Sequence, residues 1–228
     1  MNIALILAGG TGTRLGGSLP KQYIEVKGRP VIGYCLAVFE GHEEVDGIQI
    51  VADEAWHELI TAHTGAKFRG FSAPGENRQL SIYHGLKDIR QYASKEDIVI
   101  IHDAARPSVT GRLISDCIHT CREHDGAIPV LPMKDTVYMA EGGRITSLLE
   151  RSKVYAGQAP EAFVLGKYME ATERLLPDKI LEINGSTEPA VMAGMDIGLV
   201  TGDESNGKIT TAEDLARFRR IVEAEQDE

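Results

Sequence analysis

Short apolar runs alternate along this chain with stretches of helical periodicity. Asn2–Ala8 (NIALILA) is apolar almost throughout and stops at Gly9-Gly10, the pattern of a strand buried on both faces. Asp46–Ala52, Asp97–Ile101, Ala127–Leu131 and Asp196–Thr201 read as further strands, and Lys67–Phe71 as a shorter one. Between them lie helical stripes. One opens at Pro30 and carries Val31, Ile32, Cys35, Leu36, Val38 and Phe39; proline suits a first turn, where its missing N–H has no partner to lose. Others cover Glu54–His63, a helix starting at Asn77 (Leu80, Ile82, Tyr83, Leu86, Ile89 on one face) and Thr110–His124. Helices resume at Leu165–Leu176, around Glu188–Ala193 and at Thr211–Ala224, the last capped by Thr210 or Thr211 with Glu213 and Asp214 in its first turn. This alternation predicts an α/β fold: a Rossmann-like, doubly wound, mostly parallel sheet with right-handed crossovers. The rhythm changes at Lys134–Gln158. There Asp135–Ala140 and Arg144–Leu149, joined by Glu141-Gly142-Gly143, predict a β-hairpin arm (134–157) projecting from the sheet. Such a hairpin cannot bury its own apolar face, and arm exchange in a homodimer would cover it.

Composition narrows the class. The 228 residues show no repeat, low-complexity tract or linker, and suit a single domain, 1–228, with the arm as a subregion. No apolar run approaches the roughly 20 residues of a membrane span. The opening MNIALILAGG lacks a basic n-region, so no secretory signal is expected. The cysteines, Cys35, Cys117 and Cys121, are odd in number and form no CxxC, which suits thiols in a reducing cytoplasm. Cys117 and Cys121 stand one helical turn apart without a His or Asp partner at a fitting spacing and read as core or half-buried thiols, and Trp56 and Met133 read as packing residues. With 24 basic and 34 acidic side chains the formal charge is −10, which argues against sequence-independent binding of nucleic acid. A local phosphate site remains open.

The loop after the first strand, Leu7-Ala8-Gly9-Gly10-Thr11-Gly12-Thr13-Arg14-Leu15-Gly16-Gly17-Ser18-Leu19-Pro20-Lys21-Gln22, supplies one. It is no Walker A loop, because Ser18 stands where the lysine belongs, and no dinucleotide fingerprint, because Leu15 replaces the third glycine. What remains is a glycine-rich turn at a strand's carboxyl end followed by Arg14 and Lys21, with no acid before Glu25. Glycines let backbone N–H groups approach phosphate oxygens, and the two cations neutralise charge there. Taken alone, Lys208 and Arg151 read as solvated surface cations. Asp103, at the end of an apolar strand, reads as a turn cap or a carboxylate able to hold a cation, and Arg106 as its ion-pair partner or a phosphate contact.

This loop resembles the nucleotidyltransferase signature GGxGTRxxxxxPK. Five further segments follow in order: Gly75-Glu76-Asn77-Arg78-Gln79-Leu80-Ser81, His102-Asp103-Ala104-Ala105-Arg106-Pro107, Asp135-Thr136 with Arg151-Ser152, Gln158–Phe163, and Asn206–Leu215. Together they resemble the 2-C-methyl-D-erythritol 4-phosphate cytidylyltransferase family and its sister, ribitol-5-phosphate cytidylyltransferase. The resemblance implies CTP and a polyol phosphate as substrates, Mg²⁺ as cofactor, and a homodimer built through the 134–157 arm. It implies that Arg14, Lys21, Arg151 and Lys208 act on the phosphates during catalysis. It implies that Ala8, Gly9, Gly10, Gly12, Gly75, Arg78, Ser81, Asp103, Ala104, Arg106 and Thr136 bind substrate, with Asp103 holding the metal directly or through water. It makes His102 structural. Two positions depart from the family pattern: Ala159 and Glu161 stand in its QTPQ, and Gly207 replaces an apolar residue of its NIKIT.

Three alternatives stay open on sequence. The acceptor could be ribitol 5-phosphate: HDAARP favours methylerythritol phosphate, since ribitol enzymes often carry HDSVRP, whereas Tyr155–Gln158 and the helical region Thr172–Gly194 lean toward the ribitol type. The nucleotide could be UTP or GTP. A non-catalytic nucleotide-binding scaffold is the third, against which stands the joint presence of Arg14, Lys21 and Lys208.

Overall fold

Alternate residues of the first strand enter two different cores. A computed structural model of the chain describes residues 1–10 and 19–224. In it β1 (Asn2–Leu7) is followed by a small hairpin, β2 (Glu25–Val26) and β3 (Arg29–Pro30), then α1 (Val31–Gly41), β4 (Gly47–Val51), α2 (His57–Thr61), β5 (Phe68–Ser72), α3 (Arg78–Ile89), β6 (Ile98–Asp103) and α4 (Gly111–Glu123). Ala4 and Ile6 pack against α1 and α4 through Ile32, Leu36, Phe39, Leu113 and Ile118, whereas Ile3 and Leu5 pack on the opposite face against Ile82, Leu86 and Ile89 of α3. In β6, Ile98 and Ile100 share the first core and Val99 and Ile101 the second. A strand whose two side-chain rows are both covered reads as unbroken apolar sequence, which is why NIALIL and DIVII are recognisable as buried strands.

The second half comprises β7 (Gly126–Pro132), β8 (Tyr138–Glu141), β9 (Arg144–Leu148), β10 (Tyr155–Gly157), β11 (Glu161–Val164), α5 (Leu165–Glu173), α6 (Glu188–Met192), β12 (Ile197–Thr201) and α7 (Ala212–Ala224). The main sheet runs β7-β11-β6-β1-β4-β5; β10 and β11 pair with successive stretches of β7, and β12 pairs with its other edge. Every strand of this sheet runs parallel to β1 except β10 and β11. β11 corrects the sequence reading, in which Gln158–Phe163 is a motif and not a strand wedged between β6 and β7. The apolar run after Glu161, Ala162–Leu165, stops at Gly166 and merges into α5, too short for either period to show.

Other expectations shift in detail. The predicted helix 54–63 is a 3₁₀ turn at Glu54–Trp56 followed by one turn of α-helix to Thr61. The region Thr172–Gly194 is broken: α5 ends at Glu173, a 3₁₀ turn covers Lys179–Glu182, and α6 starts only at Glu188. The cap of α7 is reciprocal, as its sequence suggests: Asp214 N–H donates to Thr211 Oγ1, and the Asp214 carboxylate accepts from the backbone of Thr210 and Thr211. The arm hairpin β8–β9 forms its own two-stranded sheet, with Gly142 and Gly143 at φ 55° and 77° making the two-residue turn. Both its strands are exposed along their whole length, Tyr138, Met139, Ile145 and Leu148 included.

Candidate active site

Strands β1 and β6 are neighbours in register, Leu7 opposite Asp103, and β4 and β5 continue the sheet beyond β1 while β11 lies beyond β6. The crevice at such a reversal of strand order is where open α/β sheets take ligands. A cavity of about 410 Å³ opens there. Among the described residues it is lined by Gly9, Gly10, Lys21 and Gln22 from the first loop; Gly75, Glu76, Asn77, Arg78 and Ser81 around the start of α3; Asp103 and Ala105 after β6; and Lys208 and Thr210 from the last loop.

Each wall has a local cause. Gln22, buried in a 3₁₀ turn at Lys21–Tyr23, donates through Nε2 to the carbonyls of Ala8 (2.6 Å) and Gly10 (2.7 Å), and Tyr23 Oη donates to Ala8 O at 2.9 Å. The turn thereby ties Ala8, Gly10 and Lys21 together as one unit. The α3 wall is set by Asn77, whose side chain caps Leu80 N–H, and by Ser81, whose hydroxyl accepts from Gly75 N–H at 2.9 Å. Gly75 must be glycine: a Cβ there would stand 2.4 Å from Leu80 Cβ and 2.7 Å from Ser81 N. The last loop is tied down from below. Gln158 holds both backbone groups of Asp203, and Asn206 donates to Ala159 O at 2.6 Å.

Asp103 is the electrostatic centre. Its Oδ1 accepts from Arg78 Nε and Nη2, both at 3.1 Å; its Oδ2 accepts from Lys208 Nζ at 2.9 Å and faces Arg106 Nε at 3.6 Å. Burial pushes this carboxyl's pKa up, but Arg78, Lys208 and Arg106 together overcome that and hold it well below the usual carboxylate range. Glu161, behind it on β11, goes the other way: burial raises its pKa, and the attraction of the Arg78 guanidinium opposes this only in part. His102 is fully buried, and its Nε2–H donates to Arg106 O at 3.0 Å. Burial drives its pKa down to about 4, so it is a neutral structural group.

A family model described as 2-C-methyl-D-erythritol 4-phosphate cytidylyltransferase matches residues 2–224. The chain belongs to this family. A 2-C-methyl-D-erythritol 4-phosphate cytidylyltransferase of Geobacter metallireducens is 37% identical over 227 residues, 96% of each chain. A ribitol-5-phosphate cytidylyltransferase of Streptococcus agalactiae is 29% identical over 234 residues, covering 100% of this chain and 98% of that one. Among solved structures, the 4-diphosphocytidyl-2C-methyl-D-erythritol synthase of Anaerococcus prevotii superposes with a TM-score of 0.84 at 25% identity, covering 97% of this chain and 96% of that one.

The family motifs thus meet at one cavity from four distant parts of the chain. Of the residues named on sequence, Gly9, Gly10, Lys21, Gly75, Arg78, Ser81, Asp103 and Lys208 line it. Arg14 and Gly12 lie outside the described residues. Ala8 and Ala104 are buried behind the wall, their backbone in the sheet-end hydrogen bonds to Val51 and Leu7. Arg106 turns inward: Nη1 donates to Asn206 O at 2.8 Å, so it ties the His102–Pro107 segment to the last loop. Thr136 and Arg151 do not line the cavity; both are exposed in the arm region, and Arg151 donates to Lys134 O. Ala159 is buried beneath the last loop. Gln22, Gln158 and Asn206 are site-building residues to which sequence reasoning gives no role. Each stands inside or beside a quoted motif, but a buried amide that clamps a backbone has no sequence period to reveal it. Among the described residues no helix is long and apolar enough to cross a membrane.

Proposed function

We propose that this protein joins CTP to 2-C-methyl-D-erythritol 4-phosphate, releasing pyrophosphate and forming the cytidine diphosphate conjugate. The observation that carries the reading is the convergence of Lys21 and Lys208, 187 residues apart in sequence, on one cavity bounded by a glycine loop. A phosphate oxygen of the polyol attacks the α-phosphorus of CTP; the new P–O bond forms as the bond to the departing pyrophosphate breaks. The attacking phosphate is already ionised, so no general base is needed. The protein's task is to hold two polyanions in line and to meet charge as it develops. Lys21 and, by its motif, Arg14 face the triphosphate. Lys208 leaves Asp103 to reach the α-phosphate and the incoming phosphate. Small residues at Gly9, Gly10 and Gly75 leave room for cytidine, and backbone groups select its base.

Among the described residues no group of three or more His, Cys, Asp or Glu could hold a metal by itself. The fit for Mg²⁺ is therefore one carboxylate, Asp103, with the triphosphate supplying other oxygens, a common arrangement for this ion. Both Asp103 oxygens already accept from cations, which favours contact through water. Bound there, Mg²⁺ would neutralise triphosphate charge.

The exposed apolar residues of the arm support a homodimer built through 134–157, with Thr136 and Arg151 serving the partner's cavity. A single nucleotidyltransferase domain over 1–228 fits the full-length match to the relatives, and three free thiols fit a reducing cytoplasm. As acceptor, methylerythritol phosphate is supported by HDAARP and by the higher identity to the Geobacter relative than to the Streptococcus one. The test is pyrophosphate release from CTP with each polyol phosphate, and from UTP and GTP in parallel. Turnover with CTP and methylerythritol phosphate is expected. Turnover with ribitol 5-phosphate alone, or a preference for UTP or GTP, overturns the choice.

A further inference from the structure

The last helix belongs to neither main core. Among the described residues, the buried face of α7, Leu215, Phe218 and Val222, packs into a small cluster of its own with Val26, Val31 and Ile209, and Ile24 and Tyr34 lie against it. This cluster joins the two ends of the chain. On one side Ile24 closes the Lys21–Tyr23 turn: its N–H donates to Lys21 O at 3.3 Å, and its carbonyl accepts from Val31 N–H at 3.0 Å. On the other side Ile209 directly follows Lys208; it is 2% exposed, and its N–H donates to Ala105 O at 2.8 Å. Tyr34 of α1 completes the arrangement. Its hydroxyl donates to Val26 O at 2.7 Å, and its ring meets Phe218 edge to face, with centroids 5.0 Å apart. A hollow of about 40 Å³ between α7 and the last loop, bordered by Lys208, Ile209, Phe218 and Ile221, leaves the loop without solid packing on that side, so Ile209 is its apolar anchor there.

We infer that Phe218 and Tyr34 are positioning residues of the site: the cluster they build around α7 holds the backbones of Lys21 and Lys208 at one fixed separation. Neither side chain lines the active-site cavity. The bonds of Gln22 and Tyr23 to Ala8, and of Asn206 to Ala159, tie each lysine's segment to the sheet separately. The cluster adds a direct connection between the two segments. Alignment of the reacting phosphates depends on that connection, because a misplacement of about 1 Å can cost about 10²-fold in rate. The apolar stripe of α7 packs on these two segments and on the start of α1, so its burial energy is spent on holding them together. The kinetic side of the inference rests on the proposed cytidylyl transfer.

The test uses the full chain with Phe218→Ala, Phe218→Leu, Tyr34→Phe and, as a main-core control, Ile118→Ala. Amide hydrogen exchange read by mass spectrometry needs no substrate. In Phe218→Ala, segments 21–31 and 208–222 are expected to exchange faster together while β1 and β6 keep the parent's protection, the behaviour of a separate cooperative unit. Tyr34→Phe keeps the ring and loses the bond to Val26; it shifts both segments the same way by a smaller amount, and it decides the point if Phe218→Ala does not fold. In turnover, Phe218→Ala lowers kcat about tenfold with KM for CTP within about threefold, the pattern of lost alignment with binding retained. Phe218→Leu refills most of the space and stays within about threefold of the parent. Ile118 is fully buried in the core that α1 and α4 share with the sheet. Ile118→Ala loses stability but keeps kcat within about twofold at matched folded concentration. Four results overturn the inference: loosening of one segment alone, loosening that spreads to β1 and β6, parent-like kcat in Phe218→Ala, or an equal kcat loss in Ile118→Ala. Absence of turnover in the parent itself counts against the proposed function and leaves hydrogen exchange to judge the inference.

Discussion

Replacing Asp103 with Asn swaps one oxygen for an amide nitrogen and removes a charge that faces three cations at close range. The carboxylate is 11% exposed at its side chain, and meets Arg78 at 3.1 Å, Lys208 at 2.9 Å and Arg106 at 3.6 Å. A unit-charge pair at such separations is worth about 4 kcal/mol at an effective dielectric constant of about 20. Against three such attractions stands the cost of burying the carboxylate, several kcal/mol. The Asn amide would also turn an N–H toward a donor. Relief is uneven: the Lys208 and Arg78 side chains are 34% and 28% exposed and can turn toward water, but Arg106, at 13%, cannot. The expected loss is about 3 kcal/mol, the low end for breaking a buried pair by removing one partner. For a chain of this size that lowers Tm by roughly 6–12 °C. Urea denaturation followed by circular dichroism, with the m-value checked for constancy, reads it directly. The sign with pH is also set. Because the folded-state pKa lies below the unfolded one, the carboxylate's contribution is present above about pH 4 and fades as pH falls through the folded value. The gap between parent and variant should hold from pH 5 to 8, as about pH 4 is the unfolded midpoint, and close in acid. A variant within about 1 kcal/mol of the parent at neutral pH would refute the reasoning, since its premise is a net gain from pairing.

Two further outcomes follow from the same geometry. His102 binds its proton less readily when folded, with a pKa of about 4 against 6.5, so its stability contribution is complete above pH 6.5 and is lost as pH falls toward 4. That window is worth about 3 kcal/mol; His102→Asn should flatten the pH dependence of the urea midpoint there, and matching slopes in parent and variant would show that the imidazole is not buried neutral. Gly75→Ala brings a methyl against backbone that cannot yield, and should cost about 2 kcal/mol and weaken CTP binding by calorimetry. A variant as stable as its parent, with unchanged affinity, contradicts the close approach.

What can be read in advance depends on whether a residue's role is repeated or singular. Strands covered on both faces, such as β1 and β6, announce themselves as apolar runs ended by glycine or a charged residue, and the helices that cover them carry stripes. β11 does not, because its place between β6 and β7 is decided by pairing partners far along the chain. The same holds within the site. The cations can be named by motif, but whether each faces ligand or protein cannot. Lys21, Arg78 and Lys208 line the cavity, Arg78 and Lys208 while paired with Asp103, whereas Arg106 does not line it and is spent on Asp103 and Asn206. Direction depends on which carboxylates and carbonyls the fold brings alongside, and Ser186, which accepts from Arg78, carries no signal beyond its residue type. Thr136 and Arg151 sit on the arm and do not line the cavity of their own chain, which their motif alone does not reveal.

Catalysis is assigned to cations from opposite ends of the chain acting together on a nucleoside triphosphate. The most direct measurement of that claim is pyrophosphate release from CTP and methylerythritol phosphate by the parent, Lys21→Ala and Lys208→Ala at matched folded concentration. Each variant should lose about 10²-fold or more in kcat, the scale of deleting one transition-state contact, with an unchanged far-ultraviolet spectrum. Parent-like turnover in either variant would contradict it.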